Sequence, residues 1–192
     1  TPLYSSAASD VYKRQTPNMQ GWENYNIKKN LEARTGLPVV VENDANCAAL
    51  AESWRGAGRG ANTMILLTLG TGIGGGIVRE GKLVNGSNMT AGEVGHVVIN
   101  FNGPKCGCGN NGCLEAYCGT AGILSRTWEL LDKPGTVSVL RDWAGNDRLK
   151  LSPAQISKAA GQGDGVALSV LRETGRLLGV GLVSLVNLFA PE

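Results

Sequence analysis

The sequence has few aromatic residues, little net charge and no long apolar segment. Aromatic residues make up 5% of the 192 residues, and the net charge is +2 without any cluster of lysine or arginine. Charge therefore gives no support to binding of nucleic acid or of a membrane surface. The longest apolar stretch, 177–190, contains two glycines and an asparagine. It is shorter than the roughly 20 residues that a membrane helix needs, so we expect a buried core helix there.

An apolar signal segment is also missing from the first residues, and the number of cysteines is odd. Thr1–Gln15 has no apolar core and no periodicity that continues into the neighbouring residues, so it resembles foreign sequence such as a library or assembly artefact. Five cysteines argue against a fully paired disulfide framework. Three of them lie close together among glycines, which favours a metal site in a reducing cytoplasm.

Glycine, by contrast, is abundant, with 28 residues, and this favours tight turns and close backbone contacts. Apolar periodicity and capping residues predict helices that alternate with strands, and the glycines at 56–60 indicate a domain boundary near residue 60. The predicted helices are 26–35, 45–55, 119–131, 152–160 and 164–189; the predicted strands are 38–41, 64–69, 77–79 and 83–84, with a loop at 70–76.

The glycines of this loop form a candidate phosphate-binding hairpin. They fit the GxGxxG pattern of dinucleotide-binding folds, but that pattern needs a helix directly after the loop, and here a strand comes next. A Walker loop is excluded because the loop lacks a Gly-Lys-Ser/Thr sequence at its end. Bare backbone N–H groups can approach phosphate oxygens closely, although a tight hairpin without any ligand explains the pattern equally well. The candidate residues are Gly70, Thr71, Gly72, Gly74 and Gly75.

A second group of residues could bind a metal ion. His96 is the only histidine, and Cys106, Cys108 and Cys113 lie shortly after it. One imidazole and three thiolates suit tetrahedral Zn²⁺, and a disulfide between Cys106 and Cys108 would be strained. The alternative is three ordinary buried cysteines beside a lone histidine. The two remaining cysteines, at 47 and 118, are interpreted as small core residues.

Three carboxylates and one amide are candidates for a catalytic base and for contacts with the hydroxyl groups of a substrate. Asp44 lies where a predicted strand passes into a helix, at the edge where open α/β sheets bind ligands. As a helix cap it would contribute about 1 kcal/mol. As a general base it would accept the proton of a sugar hydroxyl that attacks a γ-phosphate, with Asn43 as cap or sugar contact. Glu93 and Glu115 flank the cysteines and suit vicinal hydroxyls, unless they are ordinary surface glutamates.

Four motifs occur in a familiar order and at familiar spacings. Together they resemble the bacterial ROK family (repressors, open reading frames and sugar kinases), and within it the glucokinases. The resemblance covers residues 17–192 and is specific because four motifs agree independently. The motifs are 41–46 (VENDAN), 69–76 (LGTGIGGG), 92–96 (GEVGH) and 106–115 (CGCGNNGCLE).

The resemblance implies an α/β protein with an actin/hexokinase-like (ribonuclease H-like) fold of two domains that bind sugar and ATP between them. Residues 16–60 would be the remnant of the small N-terminal domain, and 61–192 the larger sugar- and zinc-binding domain, incomplete at its C-terminus. The implied reaction is phosphorylation of a hexose by ATP with Mg²⁺, and overall likeness favours glucose, which would give glucose 6-phosphate. The family also implies a cytoplasmic homodimer or homotetramer, with no membrane or nucleic-acid partner for a kinase.

By motif position the resemblance also assigns roles to residues. His96 would use one ring nitrogen for the metal and the other for a sugar hydroxyl, so that zinc shapes the sugar site and does not act as a Lewis acid. The assigned residues are Asp44 as catalytic base, Asn43, Asp44, Glu93, His96 and Glu115 as sugar ligands, and His96, Cys106, Cys108 and Cys113 as zinc ligands.

The sequence departs from the family at both ends. No Asp-x-Gly-Gly-Thr phosphate motif precedes residue 43, and family members continue beyond residue 192, so we expect a truncated chain that is inactive by itself. Two other functions fit the resemblance: a sugar-responsive ROK transcriptional repressor, and a kinase for another hexose such as N-acetylmannosamine, N-acetylglucosamine or fructose. The glycine loop and Asp44 favour a kinase, because a sensor needs only the sugar ligands.

Overall fold

The computed structural model describes residues 26–87, 90–145 and 147–192. By internal contacts the chain divides into two compact units. The first unit contains the described residues up to Leu66 together with Gly75–Glu93 and Pro191–Glu192, and the second contains Leu67–Gly74 and Val94–Ala190. The predicted domain boundary at residue 60 stays a prediction, and the predicted foreign segment at 1–15 lies outside the described residues.

The first unit contains two helices whose ends lie at the predicted capping residues. Helix α1, Ile27–Thr35, begins after Asn26, whose side chain accepts a hydrogen bond from the N–H of Lys29 at 3.0 Å. Helix α2, Asp44–Arg55, begins after Asn43 and ends at a glycine. Both helices agree with the predicted bounds within one residue.

The strand predicted at 38–41 is wrong. These residues are not part of a strand, and the side chain of Val40 is 88% exposed. A short apolar run becomes a buried strand only when a neighbouring strand supplies hydrogen bonds, and no described strand pairs with this segment.

One sheet of three strands comes next in the chain, with strand order β1-β2-β3. The strands are β1, Thr63–Leu69, β2, Ile73–Arg79, and β3, Lys82–Leu83, and β2 and β3 are antiparallel. The predicted loop at 70–76 is too long, because β2 already begins at residue 73. Glycines are tolerated in this strand because α2 packs directly on its backbone: a Cβ at Gly76 would lie 2.6 Å from the Cβ of Ala49.

The second unit is mostly helical. It contains α3, Leu114–Cys118, α4, Thr120–Leu131, α5, Val139–Ala144, α6, Pro153–Gly161, and α7, Gly165–Phe189. The bounds of α4, α6 and α7 confirm the predicted helices, with Ser152 as the cap of α6 and a proline at its first position. Neither α3 nor α5 was predicted from the sequence.

Two clusters of buried side chains hold this unit together. The larger cluster lies among α4, α5, α6 and α7 and includes Trp128, Leu140 and Ile156. The smaller cluster joins α3 to α7 and to the first residue of β2, through contacts of Leu114 and Leu177. This smaller cluster positions the candidate site.

The apolar stretch at 177–190 lies in α7, but the prediction of a buried helix is only partly right. Leu177 and Leu185 are buried, whereas Val183 and Val186 are more than half exposed. The helix is therefore buried along one face only. None of the helices in the described part of the chain is both long and apolar enough to span a membrane.

Candidate metal centre and substrate site

The predicted zinc ligands come together in the second unit. The Nδ1 or Nε2 nitrogen of the histidine and the sulfurs of the three cysteines all lie within 4.8 Å of one another. The Sγ of Cys106 is 3.6 Å from the Nδ1 of His96, and the Sγ atoms of Cys108 and Cys113 are also 3.6 Å apart. In a tetrahedral zinc site with bonds of about 2.0–2.3 Å, ligand atoms lie about 3.3–3.8 Å apart. The donor types and these two distances therefore fit Zn²⁺.

We call residues 97–113 the thiol loop, and its shape is fixed by main-chain contacts. The N–H of Ile99 donates to the carbonyl of Gly112 at 2.9 Å, and the N–H of Gly112 donates to Pro104 at 2.7 Å. Gly112 has a φ of 69°, and a Cβ at this position would lie only 1.6 Å from the carbonyl oxygen of Asn100. Backbone hydrogen bonds therefore close the loop that carries the three sulfurs.

Burial and hydrogen bonding act differently on the three thiols. Burial raises the pKa of Cys106, and it raises the pKa of Cys113 to about 12. Burial also opposes ionisation of Cys108, but hydrogen bonds with the main chain of Asn110 and with the other two thiols together lower its pKa. Cys106 and Cys113 therefore carry protons at neutral pH that a bound cation would replace, and metal binding should strengthen as pH rises.

Glu115 connects the thiol loop to the glycine turn. It lies in the first turn of α3, and its Oε2 accepts a hydrogen bond from the N–H of Ile73 at 2.9 Å. Its other carboxylate oxygen lies 3.8 Å from the Sγ of Cys106. A Cβ at Gly72 would lie 2.3 Å from Oε2, so this approach requires glycine. The sequence predicted Gly72 in the phosphate-binding hairpin and Glu115 among the sugar ligands, but it did not predict their contact, because the two residues are far apart in the chain.

His96 lies at the end of a single 3₁₀ turn, Val94–His96. Gly95 packs so closely against β2 that a Cβ there would lie 2.0 Å from the carbonyl oxygen of Ile73. The Nδ1 atom of His96 faces the cysteine sulfurs, which leaves Nε2 as the second ring nitrogen. The predicted double role of this imidazole is compatible with that orientation and stays a prediction.

The predicted catalytic pair lies in the first unit, at the start of α2. The Oδ1 atom of Asn43 accepts hydrogen bonds from the N–H groups of Ala45 and Asn46, at 2.9 and 3.2 Å. Asn43 is thus the helix cap. Asp44 is the first residue of the helix and is exposed, and its Oδ1 accepts from the N–H of Ala45 at 2.9 Å.

The remaining predicted residues also have clear positions. Glu93 is an exposed residue of the first unit that directly precedes the 3₁₀ turn. Gly70, Thr71 and Gly72 form the turn between β1 and β2, whereas Gly74 and Gly75 belong to β2. The structure therefore brings Glu115, Gly72 and the four predicted metal ligands together within the second unit, while Asn43, Asp44 and Glu93 belong to the first.

One prediction about the other cysteines is confirmed and one is wrong. Cys118 is 3% exposed, and its Sγ donates to the carbonyl of Thr174 at 3.6 Å. Cys47 is exposed. Because α2 turns Ala45 and Ala49 into the core, the side chain at position 47 lies on the opposite face of the helix.

The chain is similar in sequence to one protein family and to several known proteins. The sequence model of the ROK family matches residues 7–192. The glucokinase of Halalkalibacterium halodurans is 42% identical over 173 residues, which are 90% of this chain and 52% of that protein. The xylose repressor of Caldicellulosiruptor bescii is 36% identical over 176 residues, which are 92% of this chain and 43% of that protein.

A solved structure supports the predicted fold class. The ROK family glucokinase from Streptomyces griseus, determined in complex with glucose and AMPPNP, superposes with a TM-score of 0.80 at 38% identity. The superposition covers 98% of this chain and 61% of that chain. The predicted α/β, actin/hexokinase-like fold class is thereby confirmed. The chain spans about half the length of the curated relatives that it matches.

Proposed function

This chain belongs to the ROK family, and we propose that it is part of a kinase that transfers the γ-phosphate of ATP to a hexose, with glucose as the substrate. Its relatives include glucokinases at 40–42% identity and xylose repressors at 33–36%. The observation that favours a kinase most is the position of Asp44. Because Asn43 caps α2, the carboxylate of Asp44 is exposed and does not have to stabilise the helix end alone.

Asp44 is the general base of the proposed reaction. Its carboxylate accepts the proton of the attacking sugar hydroxyl, which increases the negative charge on the oxygen as it bonds to phosphorus. As this bond forms, the bond between the γ-phosphorus and the bridging oxygen of ATP breaks, and ADP is the leaving group; Mg²⁺ would supply positive charge at the phosphates. Positioning of the two substrates supplies the rest of the rate enhancement.

Sugar hydroxyls are the proposed partners of Glu115 and of the Nε2 atom of His96, with Asn43 and Glu93 as further contacts. Bound zinc would supply charge that keeps the cysteines as thiolates and fixes the tautomer of His96. His96 with Nδ1 directed to the sulfurs then presents Nε2–H as a donor to the sugar. The carboxylate of Glu115 complements it as an acceptor.

The glycine turn is the proposed contact for ATP phosphates. The N–H of Gly70 donates to the carbonyl of Gly72 at 3.0 Å, and the N–H of Ile73 donates to Glu115. The amides of Thr71 and Gly72 are therefore the proposed phosphate donors, with Gly74 and Gly75 giving close backbone access.

A repressor is the second candidate, and the xylose repressors among the relatives favour it. The metal ligands and Glu115 serve sugar binding in both cases. A sensor, however, needs no general base, so a test on Asp44 separates the two functions.

The test measures ADP release by the whole protein that contains this chain. Glucose, N-acetylmannosamine, N-acetylglucosamine and fructose are compared in the wild type and in Asp44→Asn, with Asp142→Asn as a matched control at another exposed aspartate. We expect glucose to give the highest kcat/KM. Asp44→Asn should lower kcat by about 10²–10⁴-fold, the usual contribution of a general base, whereas the control keeps the wild-type rate.

Two results would contradict this proposal. Sugar binding without ADP release for any sugar would support the repressor. Turnover that is unchanged in Asp44→Asn would remove Asp44 from its proposed role while leaving a kinase in place.

A further inference from the structure

Helix α3 links the thiol loop to the proposed sugar site, yet it is only five residues long. Its N-cap is the metal ligand Cys113, whose side chain makes no capping hydrogen bond, and its second residue is Glu115. A helix of one turn has no stability of its own, because nucleation is costly and few hydrogen bonds form. The position of both side chains must therefore depend on contacts that hold α3 from outside.

Arg126 of α4 makes such contacts. Its Nη1 donates to the carbonyl of Tyr117, near the carboxyl end of α3, and its Nη2 donates to the Oγ1 of Thr174 in α7 at 2.5 Å. Thr174 is buried, and its own hydroxyl hydrogen goes to the carbonyl of Val170 at 2.8 Å. The guanidinium thus joins three helices through groups whose geometry is fixed.

Arg126 is partly buried, and this burial has a cost. Burial lowers its pKa, and its Nε atom has no hydrogen-bond partner among the described residues. Within the described ranges no carboxylate forms an ion pair with Arg126. Its compensation is the carboxyl end of α3, where the helix dipole and the free carbonyls favour a cation. A partly desolvated cation without an ion-pair partner is unfavourable unless hydrogen bonds compensate it, and at this junction the carbonyl of Tyr117 and the hydroxyl of Thr174 supply them.

Tyr117, which accepts a hydrogen bond from Arg126, also contacts the thiol loop. The hydroxyl of Tyr117 accepts a hydrogen bond from the Nδ2 of Asn100 at 3.0 Å, and Asn100 itself lies against Gly112. Arg126 therefore holds the residue of α3 that also touches the thiol loop. A shift of Tyr117 would move Cys113 and Glu115 with it, since all three lie within five consecutive residues.

We propose that Arg126 is a positioning residue: it clamps α3 between α4 and α7 and thereby sets the geometry of the metal ligand Cys113 and of Glu115. The part that concerns Glu115 as a sugar ligand rests on the proposed function. The part that concerns metal binding does not. Arg126 touches neither metal ligands nor substrate and acts through the backbone of α3.

The first test titrates the whole protein that contains this chain, after removal of its metal, with Co²⁺, whose visible spectrum reports the geometry of a thiolate site. Arg126→Met is compared with Arg176→Met, which removes an exposed arginine of α7 that forms an ion pair with Glu173. We expect Arg126→Met to weaken Co²⁺ binding about 10–100-fold, as loss of an outer partner of a metal site does, and to change the positions and intensities of the d–d bands. Arg176→Met should leave both unchanged.

Two more variants keep the test decisive if Arg126→Met does not fold. Thr174→Val removes one of the two anchors and should show the same spectral change with a smaller loss of affinity. Arg126→Lys, which retains the charge but not the fork of two donors, should restore binding only in part. Wild-type affinity and spectrum in Arg126→Met or in Thr174→Val, even with lower thermal stability, would show that Arg126 is merely structural and overturn the proposal.

In the whole protein, Arg126→Met should raise KM for the sugar far more than it changes kcat or KM for ATP. Absence of kinase activity in the wild type would refute the proposed function, while the Co²⁺ result would still decide the role of Arg126. A kcat that falls with KM unchanged would contradict positioning of Glu115.

Discussion

The start of α2 and the thiol loop both contain predicted site residues. At α2 one residue stabilises the fold and its neighbour is the candidate for chemistry, whereas in the thiol loop the same side chains would serve both purposes. At α2, Asn43 caps the helix, while the neighbouring Asp44 is exposed. In the thiol loop the candidate ligands are themselves part of the packing, since Cys106 is 4% exposed and Cys113 is fully buried. Stability and chemistry should therefore be separable by mutation at α2 and inseparable in the thiol loop.

The largest effect is expected for Gly112→Ala. The new Cβ would lie 1.6 Å from the carbonyl oxygen of Asn100, and the residue would keep a φ of 69°, so the loop must open. Zinc affinity, measured by competition with a chromophoric chelator, should fall by more than the roughly 100-fold that marks loss of an outer-shell partner. Gly107→Ala is the matched control because a Cβ there meets nothing within 4 Å. Equal affinities for the two variants would show that the backbone does not position the sulfurs.

The next largest effect is a loss of unfolding free energy, and it should differ between two aspartates that lie at helix starts. The carboxylate of Asp164 accepts from the N–H of Ala167 in α7 and from the N–H of Val139 in α5, both at 2.9 Å. Loss of both caps in Asp164→Ala should lower the free energy of unfolding by about 2 kcal/mol. Asp44→Ala should lower it by about 0.5 kcal/mol or less, since another residue caps α2. Urea unfolding at pH 7 measures both.

The effect of Asp164 also has a defined pH dependence. Burial opposes ionisation of this group, but hydrogen bonds from Ala167, Ser138 and Val139 outweigh it and lower its pKa. A lowered folded-state pKa stabilises the fold above the unfolded value of about 3.9 and ceases to do so as pH falls through the folded value. The difference between wild type and Asp164→Ala should therefore be full at pH 7 and shrink below about pH 4. A difference that is independent of pH would contradict this account.

A smaller effect is expected for Asn43→Ala. The variant loses the acceptor for two N–H groups of α2, which should cost about 1 kcal/mol in unfolding free energy without changing zinc affinity. Asn43→Ser retains a capping oxygen and should restore most of the stability. Failure of serine to restore it would mean that Asn43 acts through its amide nitrogen instead.

The smallest structural change is expected when the metal is removed by a chelator. Because main-chain hydrogen bonds close the thiol loop, the far-ultraviolet circular dichroism should stay nearly constant. Return of zinc should release protons, since the pKa values of Cys106 and Cys113 are raised, and binding should strengthen with pH. A large loss of helical signal on chelation would show that the ion, and not the backbone, organises the loop.

Local features of this chain could be predicted from the sequence, and features that depend on distant partners could not. Capping residues predicted the starts of α2 and α6 because the cap and the helix are adjacent. The prediction of a strand at 38–41 was wrong because strands depend on neighbours that sequence patterns do not reveal. Helix α3 was missed because five residues carry too little periodicity.

The candidate site shows the same limit. One histidine and three cysteines within 18 residues predicted a cluster of possible metal ligands, and the structure brings these four side chains together. The contact of Glu115 with Ile73 joins residues 42 positions apart, and the bond of Arg126 to Thr174 spans 48. No pattern in the sequence marks such pairs, and Arg126 has the pattern of an ordinary helical arginine.

The bond between Cys118 and Thr174 has a consequence for the order of events during synthesis. All four predicted metal ligands are made, and leave the ribosome, before α7 does. His96 and Cys106 are only ten positions apart, so the loop can close early and at little entropic cost. The partner of Cys118 lies 56 positions further on, in α7. A nascent chain thus exposes a nearly complete set of thiols well before α7 can anchor α3. Native zinc affinity should therefore arise late in translation, and earlier capture would be weak and reversible.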